Sequence, residues 1–347
     1  MSELVHVRTV SRGAQRPSGR TFAGMADPVF ILAAPRAFSS VVSTMLGQHP
    51  QMYGLPETHL FVDESLEGWW ARASGESFQM THGLLRAVAE IFFGEQTEAT
   101  VALATAWLKR RSTHTSGMLF EELACAVAPA VLIEKSPSTI YSTESLQRLQ
   151  RFFPQARFMH LVRHPRGYCS SVIKYMHTLA KPAYQPRDGS VRAGPPEWIS
   201  VLAHFAHPTS DTDGGSSEEI DPQGGWYVYN HNVARFLESV PTDQQLTVRG
   251  EDLLQDPDRR LVEIARWLGV RTDSDAIDEM KHPERSPYAC FGPRGARLGN
   301  DILFLERPAI RPGRGHEQSL DGPLTWRSDG AGFMSEVAAL ARRFGYS

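Results

Sequence analysis

Three basic side chains, Arg36, Lys135 and Arg163, each follow a short apolar run by one to three residues. If those runs are parallel strands, their carboxyl ends share one edge, where ligands of open α/β sheets lie. Three cations converging there suit a polyanion. The first follows the run Val29 to Ala33, in the polar turn Pro35-Arg36-Ala37-Phe38-Ser39-Ser40. Val41 to Leu46 then has helical spacing, with Gly47 read as the helix end. This order leaves a helix N-terminus, with free N–H groups and the positive dipole end, open to a phosphate-like anion. Ser39 and Ser40 add hydroxyl donors. Ser171 follows Arg163 by eight residues, so a guanidinium fork and a hydroxyl could close on one phosphate from two sides. Plainer uses also fit: Ser39 or Ser40 as helix caps, Arg163 paired with an acid, Ser171 packed.

The elements that must position these groups alternate. Strands are expected at Val29 to Ala33, Ala130 to Ile133, Arg157 to Val162 and Gln245 to Val248. Helices are expected at Ser142 to Phe153, following the Arg163-to-Ser171 segment through about Leu179, at Trp226 to Val240, Pro257 to Leu268 and Gly332 to Phe344, and through most of Glu64 to Val127. Alternation of this kind predicts an α/β protein with a central parallel sheet flanked by helices. Residues 1–27 read as a flexible leader and 28–347 as a single domain. Residues 181–225, rich in Pro and Gly, read as a loop-rich insertion with a short helix at Glu197 to Phe205: a lid or binding loop, or a surface insertion. Residues 283–315 look irregular.

The chain has 347 residues, 41% hydrophobic and 22% charged, with a formal net charge of −3, which gives no global reason to expect nucleic acid or an anionic membrane. Cys125, Cys169 and Cys290 are odd in number and lack metal spacing, so reduced thiols and a cytoplasmic home are expected. No apolar run reaches the length of a membrane span. The first turn lacks G-x-x-x-x-G-K-[ST], which disfavours an ordinary P-loop kinase.

The strand, turn and helix at residues 28–47 resemble the 5′-phosphosulfate loop of sulfotransferases that use 3′-phosphoadenosine 5′-phosphosulfate (PAPS), whose pattern is Pro-Arg/Lys-Ser-Gly-Thr/Ser-Thr/Ser. Leu161-Val-Arg-His-Pro-Arg-Gly-Tyr-Cys-Ser-Ser171 resembles their 3′-phosphate motif. Glu134-Lys-Ser-Pro137 is similar to their Lys-Ser-Pro step, and Arg249-Gly-Glu-Asp-Leu-Leu-Gln-Asp-Pro257 to another recurring segment. The likeness runs over about residues 28–345. Gly54-Leu-Pro-Glu-Thr-His-Leu60 and Gly292-Pro…Gly299-Asn-Asp301 look most like sulfotransferase domains of bacterial polyketide assembly lines. One departure stands out: Ala37 and Phe38 occupy the places of the family's Ser and Gly, and Gly permits close backbone approach to phosphate.

The resemblance implies a P-loop-like three-layer fold and PAPS as cosubstrate, with no metal. It implies that Arg36, Ala37, Phe38, Ser39 and Ser40 hold the phosphosulfate, Arg163 and Ser171 the 3′-phosphate, and that Arg294 and Arg297 close over the nucleotide; a solvated Arg-rich loop is the plain alternative. Lys135 would stand near the leaving oxygen. Glu57, where several relatives place a catalytic Glu, is the expected base, with a pKa raised by burial. His59 is the second candidate, with His204 and His231 behind it. The acceptor would be a small-molecule hydroxyl or amine, free or on an acyl carrier protein, lined by residues 60–125 and 181–230. Trp69, Trp70, Trp198 and Trp226 are pocket candidates, with core packing the default. Two alternatives remain: a P-loop-like nucleotide kinase, and a non-catalytic nucleotide-binding relative in which Phe38 blocks the sulfuryl site.

Overall fold

The run Val29–Ala33 is the middle strand, β1, of a five-stranded parallel sheet in a computed structural model of the chain. The structure describes residues 26–73, 79–179, 207–208, 218–219, 221–311 and 319–347. The leader as far as residue 25, most of the 181–225 insertion, its expected helix, Trp198 and His204 lie outside these. In chain order follow α1 (Ser39–Gly47), β2 (Met52–Gly54), α2 (Leu66–Ala73), α3 (Thr81–Phe93), α4 (Glu98–Lys109), α5 (Ser116–Val127), β3 (Val131–Glu134), α6 (Thr143–Phe152), β4 (Arg157–Val162) and α7 (Pro165–Leu179). After them come a short antiparallel pair, β5 (His207–Pro208) and β6 (Glu218–Glu219), then α8 (Gln223–Leu237), β7 (Gln245–Arg249), α9 (Gly250–Gln255), α10 (Pro257–Leu268), α11 (Ser274–Met280), α12 (Ile302–Glu306) and α13 (Ser335–Arg343).

The strand order is β2-β3-β1-β4-β7, all parallel. Every residue of β1 is buried, which requires helices on both faces of the sheet. Side chains alternate along a strand. On one face Phe30 meets the rings of Phe61, Phe120, Phe153 and Phe158 at 5.3–6.0 Å. Each such ring contributes roughly 1.5–3 kcal/mol by burial. On the other face α1 packs against β1, β2 and β3.

The register pairs Ala33 with Leu161 and Val162 with Arg249, so the carboxyl ends of β1, β4 and β7 lie together. Glu134 of β3 pairs with Phe30 and ends at the same side.

The sequence reading missed β2. Three residues are too few for a periodic signal, and Gly54 weakens it. That glycine has a packing reason: a Cβ there would sit 2.8 Å from the Ser43 carbonyl oxygen, and one on Gly47 would sit 2.7 Å from the Gly54 Cα. Gly47 is therefore the last residue of α1 rather than its left-handed terminator; it lets the helix lie directly on β2. Gly269, by contrast, ends α10 as expected, with φ +71°. Trp69 and Trp226 are fully buried core residues. Among the described residues no helix is long and apolar enough to cross a membrane.

Candidate functional site

The first turn carries two non-glycine residues in the left-handed region, Arg36 (φ +69°) and Phe38 (φ +66°). Each costs about 1–2 kcal/mol relative to glycine. Phe38 thus holds the backbone conformation a glycine adopts freely, and the turn is closed by Ala37 N–H donating to the Ala34 carbonyl at 3.1 Å. Ala37 turns its methyl group into the core. Phe38, not a serine, occupies the N-cap of α1 and makes no side-chain capping bond. The capping role weighed for Ser39 and Ser40 is therefore not what Ser40 does. Its hydroxyl instead accepts from the Lys135 ammonium at 3.0 Å and from the Asp301 N–H at 3.1 Å. Ser39 lies beside it, buried in the first turn.

Lys135 is 1% exposed at the end of β3. Besides Ser40 it donates to Glu57 Oε1 at 2.5 Å and to Asn300 Oδ1 at 3.2 Å. The other oxygen of Glu57 lies 3.6 Å from His59 Nε2, and His59 Nδ1 shares a hydrogen bond with the Ser138 hydroxyl at 2.8 Å. Burial pushes the Glu57 carboxyl up, but the Lys135 charge and the contacts with His59 outweigh it and bring the group down to about 2. This reverses the expectation of a raised Glu57: burial was legible, the ammonium beside it was not. The neighbouring Glu134 shows burial prevailing. It is 2% exposed, accepts among the described residues from the hydroxyls of Ser136 and Thr58, and is pushed up by burial.

Arg36 and Arg163 are joined. Arg163 Nη1 donates to the Arg36 carbonyl at 2.6 Å. Arg36 is ion-paired with Asp301 and lies 4.7 Å from the Tyr175 ring. Arg163 lies 4.3 Å from the Phe38 ring, and among the described residues it forms no ion pair with an acid. Burial lowers both guanidinium groups, Arg163 to about 10. The Nε atoms of both are buried without a hydrogen-bond partner. Two half-buried cations with unused buried donors fit a bound anion, because an unpaired buried donor is costly until something accepts from it. Ser171 lies in α7 one turn before Tyr175, on the face that meets Arg36, and is half-buried.

The structure therefore brings Arg36, Phe38, Ser40, Glu57, His59, Lys135 and Arg163 to one edge of the sheet, with Ser39 and Ser171 on adjoining turns. It does not bring Arg294 and Arg297 there. Both are exposed; Arg297 stacks on Phe291 at 4.7 Å, and the turn that carries them packs on α3 and α4. The late segment closes the site a few residues onward. The Gly299 carbonyl accepts from Glu57 N–H at 2.6 Å, Asn300 reaches Lys135, and Asp301 reaches Arg36 and Ser40. Sequence reasoning noted Gly299-Asn-Asp301 only as a likeness. Tyr168 and Tyr175, two turns apart on α7, mark in the sequence the helix face on which Tyr175 meets Arg36. His231 stacks on Tyr227 at 5.2 Å, as neighbours on α8.

The model of a family described as "Sulfotransferase family" matches residues 28–274. Among solved structures, the sulfotransferase domain from the Synechococcus PCC 7002 olefin synthase is similar with a TM-score of 0.66 and 23% identity, covering 97% of this chain and 99% of that one. The sulfotransferase domain from the curacin biosynthetic pathway gives 0.61 and 18%, covering 93% and 99%. At these identities the likeness is one of fold. No curated protein matches the chain.

Proposed function

We propose, from the premise that this chain belongs to the sulfotransferase family, that it moves a sulfuryl group from PAPS to a hydroxyl or amine of a small-molecule acceptor. The observation that carries this reading is the joining of three strand-end cations: Arg163 donates to the Arg36 carbonyl, and Lys135 to the hydroxyl of Ser40 in the turn that holds Arg36. Arg36, Ser39, Ser40 and the α1 N-terminus would take the 5′-phosphosulfate, and Arg163 with Ser171 the 3′-phosphate. One structural relative is a sulfotransferase domain of an olefin synthase and the other comes from the curacin biosynthetic pathway. They favour an acceptor chain on a carrier protein, in which sulfation of a β-hydroxyl makes a leaving group for later elimination.

In the transfer, the acceptor oxygen attacks sulfur in line. The S–O bond to the 5′-phosphate breaks, and its electron pair stays on that phosphate oxygen. Positioning and electrostatics supply most of the acceleration. Arg36 and Lys135 would neutralise the leaving oxygen. The acceptor proton goes to Glu57, which His59 orients. Lys135 then serves two anions. As charge grows on the leaving oxygen, the ammonium is drawn from Glu57, and the carboxylate gains basicity when the proton must move. A histidine base competes with this reading, since imidazole suits neutral pH. The pH profile of kcat/KM separates them, because it reports groups of the free enzyme. With Glu57 as base, the acid limb falls toward pH 2 and is lost in Glu57→Gln. An acid limb that His59→Asn removes and Glu57→Gln retains would transfer the role to His59.

The first test is calorimetric titration with the product nucleotide, 3′-phosphoadenosine 5′-phosphate, without magnesium. Micromolar binding is expected, weakened about tenfold or more (about 1.4 kcal/mol) in Arg163→Ala. A wild-type protein that binds no such nucleotide would end the proposal.

A further inference from the structure

We propose that Phe38 and Gly250 are a matched pair that positions Arg163 for an anion. The inference rests on reading Arg163 as the group that meets the nucleotide's 3′-phosphate. It deepens that reading by naming the residues that set its geometry.

Phe38 stands where the resembled loop has glycine, in the left-handed conformation that glycine adopts without cost. A phenyl ring held there against backbone strain needs a compensating contact. The ring lies toward β4 and β7. Its centroid is 4.3 Å from the Arg163 guanidinium carbon. Beyond it is Gly250, the first residue of α9. A Cβ on Gly250 would fall 2.4 Å from Phe38 Cδ2, and its three nearest heavy atoms all belong to Phe38. Gly250 lacks the positive φ of a glycine chosen for its backbone. Its missing side chain is explained by the ring alone.

The consequence falls on Arg163. One face of its guanidinium is covered by the ring, and Nη1 is tied to the Arg36 carbonyl at 2.6 Å. Among the described residues that is the guanidinium's only hydrogen bond, and its Nε is buried without a partner. An arginine held by a carboxylate would have its donors occupied. One held by a ring face and a carbonyl keeps the rest of its fork for a ligand, in a fixed plane. Fixing it beforehand lowers the ordering cost on binding. Phe38 is thus a positioning residue acting through Arg163, and its replacement of glycine is a working feature of this site.

The test is calorimetric titration of wild type, Phe38→Leu, Phe38→Gly, Gly250→Ala and the double variant Phe38→Gly/Gly250→Ala. The probes are 3′-phosphoadenosine 5′-phosphate and adenosine 5′-monophosphate, which lacks the 3′-phosphate. Circular dichroism checks folding; glycine suits the φ at 38, so Phe38→Gly remains informative. Phe38→Leu is expected to weaken the bisphosphate about fivefold to twentyfold, the range of a desolvated cation–π contact, and to weaken the monophosphate, which does not reach Arg163, by distinctly less. Gly250→Ala should cause the same selective loss when Phe38 is present and none in the Phe38→Gly background. Equal bisphosphate binding by wild type and Phe38→Leu, or an equal cost of Gly250→Ala in both backgrounds, overturns the pairing while the proposed function stands. A wild type that binds neither nucleotide removes the function, and the pairing's role with it.

Discussion

Glu57 and Glu134 lie on either side of Lys135 and differ in what faces them. Glu57 meets an ammonium and an imidazole and is held down at about 2. Glu134 meets two hydroxyls and is pushed up. Glu134 is buried and Glu57 half-buried, and burial pushes both up, so burial alone does not decide a carboxyl's charge. The cation does, and divergent environments of this kind are how one site keeps one carboxylate ionised beside another that resists ionisation. In this site the charged member faces the proposed reaction and the other braces the backbone. Ser136, whose hydroxyl donates to Glu134, also accepts from the His59 N–H at 2.8 Å.

Removing the cation breaks the contrast most severely. Lys135→Ala should lower kcat by about 10²–10³-fold, the usual cost of losing one donor at a developing oxyanion. Glu57 should titrate well above its present position. Steady-state kinetics and carboxyl titration by NMR check both. A Lys135→Ala enzyme with wild-type kcat would show that the ammonium serves structure only.

Replacing each acid by its amide comes next. Glu57→Gln leaves a buried ammonium without its acid, at a cost of about 2 kcal/mol, below the value for a fully buried pair because Glu57 is partly exposed. It should also lower kcat by about 10²–10⁴-fold if Glu57 is the base. Glu134→Gln should leave stability at neutral pH equal or higher, because an uncharged amide avoids the ionisation that burial disfavours. The pH dependences run in opposite directions. Glu57, depressed in the fold, contributes stability above its unfolded pKa near 4.5 that is lost as pH falls toward 2. Glu134, raised in the fold, contributes below that unfolded value and loses its contribution as pH rises through its folded pKa. Urea denaturation from pH 2 to 8 reads both slopes. Like slopes for the two amide variants would erase the distinction.

The strand-end cations were legible because apolar runs ending in Arg or Lys need no tertiary knowledge. Arg36, Lys135 and Arg163 follow from pattern and parallel topology alone. The direction of Glu57 was not legible, since Lys135 is far from it in sequence and only the sheet brings them together. Asn300 and Asp301 were hidden for a related reason: they arrive from a Pro- and Gly-rich stretch with no period to read. Arg294 and Arg297 illustrate the converse. Arginines near a likeness attract a binding role, while the backbone that carries them turns outward onto α3 and α4. Phe38 was visible as a departure, but its meaning lay in Gly250, a partner beyond the reach of any local pattern.

Asp301 offers the smallest effect and the sharpest control. Its carboxylate pairs with Arg36, so an incoming anion meets a guanidinium that already holds a negative charge. The same side chain caps α12, with Oδ1 accepting from Leu303 N–H at 3.0 Å and Phe304 N–H at 3.1 Å. Asp301→Asn preserves a capping oxygen of the same shape and puts an uncharged amide nitrogen in place of the oxygen that pairs with Arg36. Arg36 is then released toward the ligand, and affinity for 3′-phosphoadenosine 5′-phosphate should rise about twofold to fivefold, the scale of a partly exposed ion pair. The gain should shrink as salt is raised, because added ions screen the competition. It should also be absent in an Arg36→Ala background, where no guanidinium is contested. Weaker binding by Asp301→Asn at unchanged thermal stability would mean that the carboxylate orients Arg36 for the ligand instead of competing with it. The two strand-end arginines would then both be held in place by their neighbours, one by an acid and one by a ring.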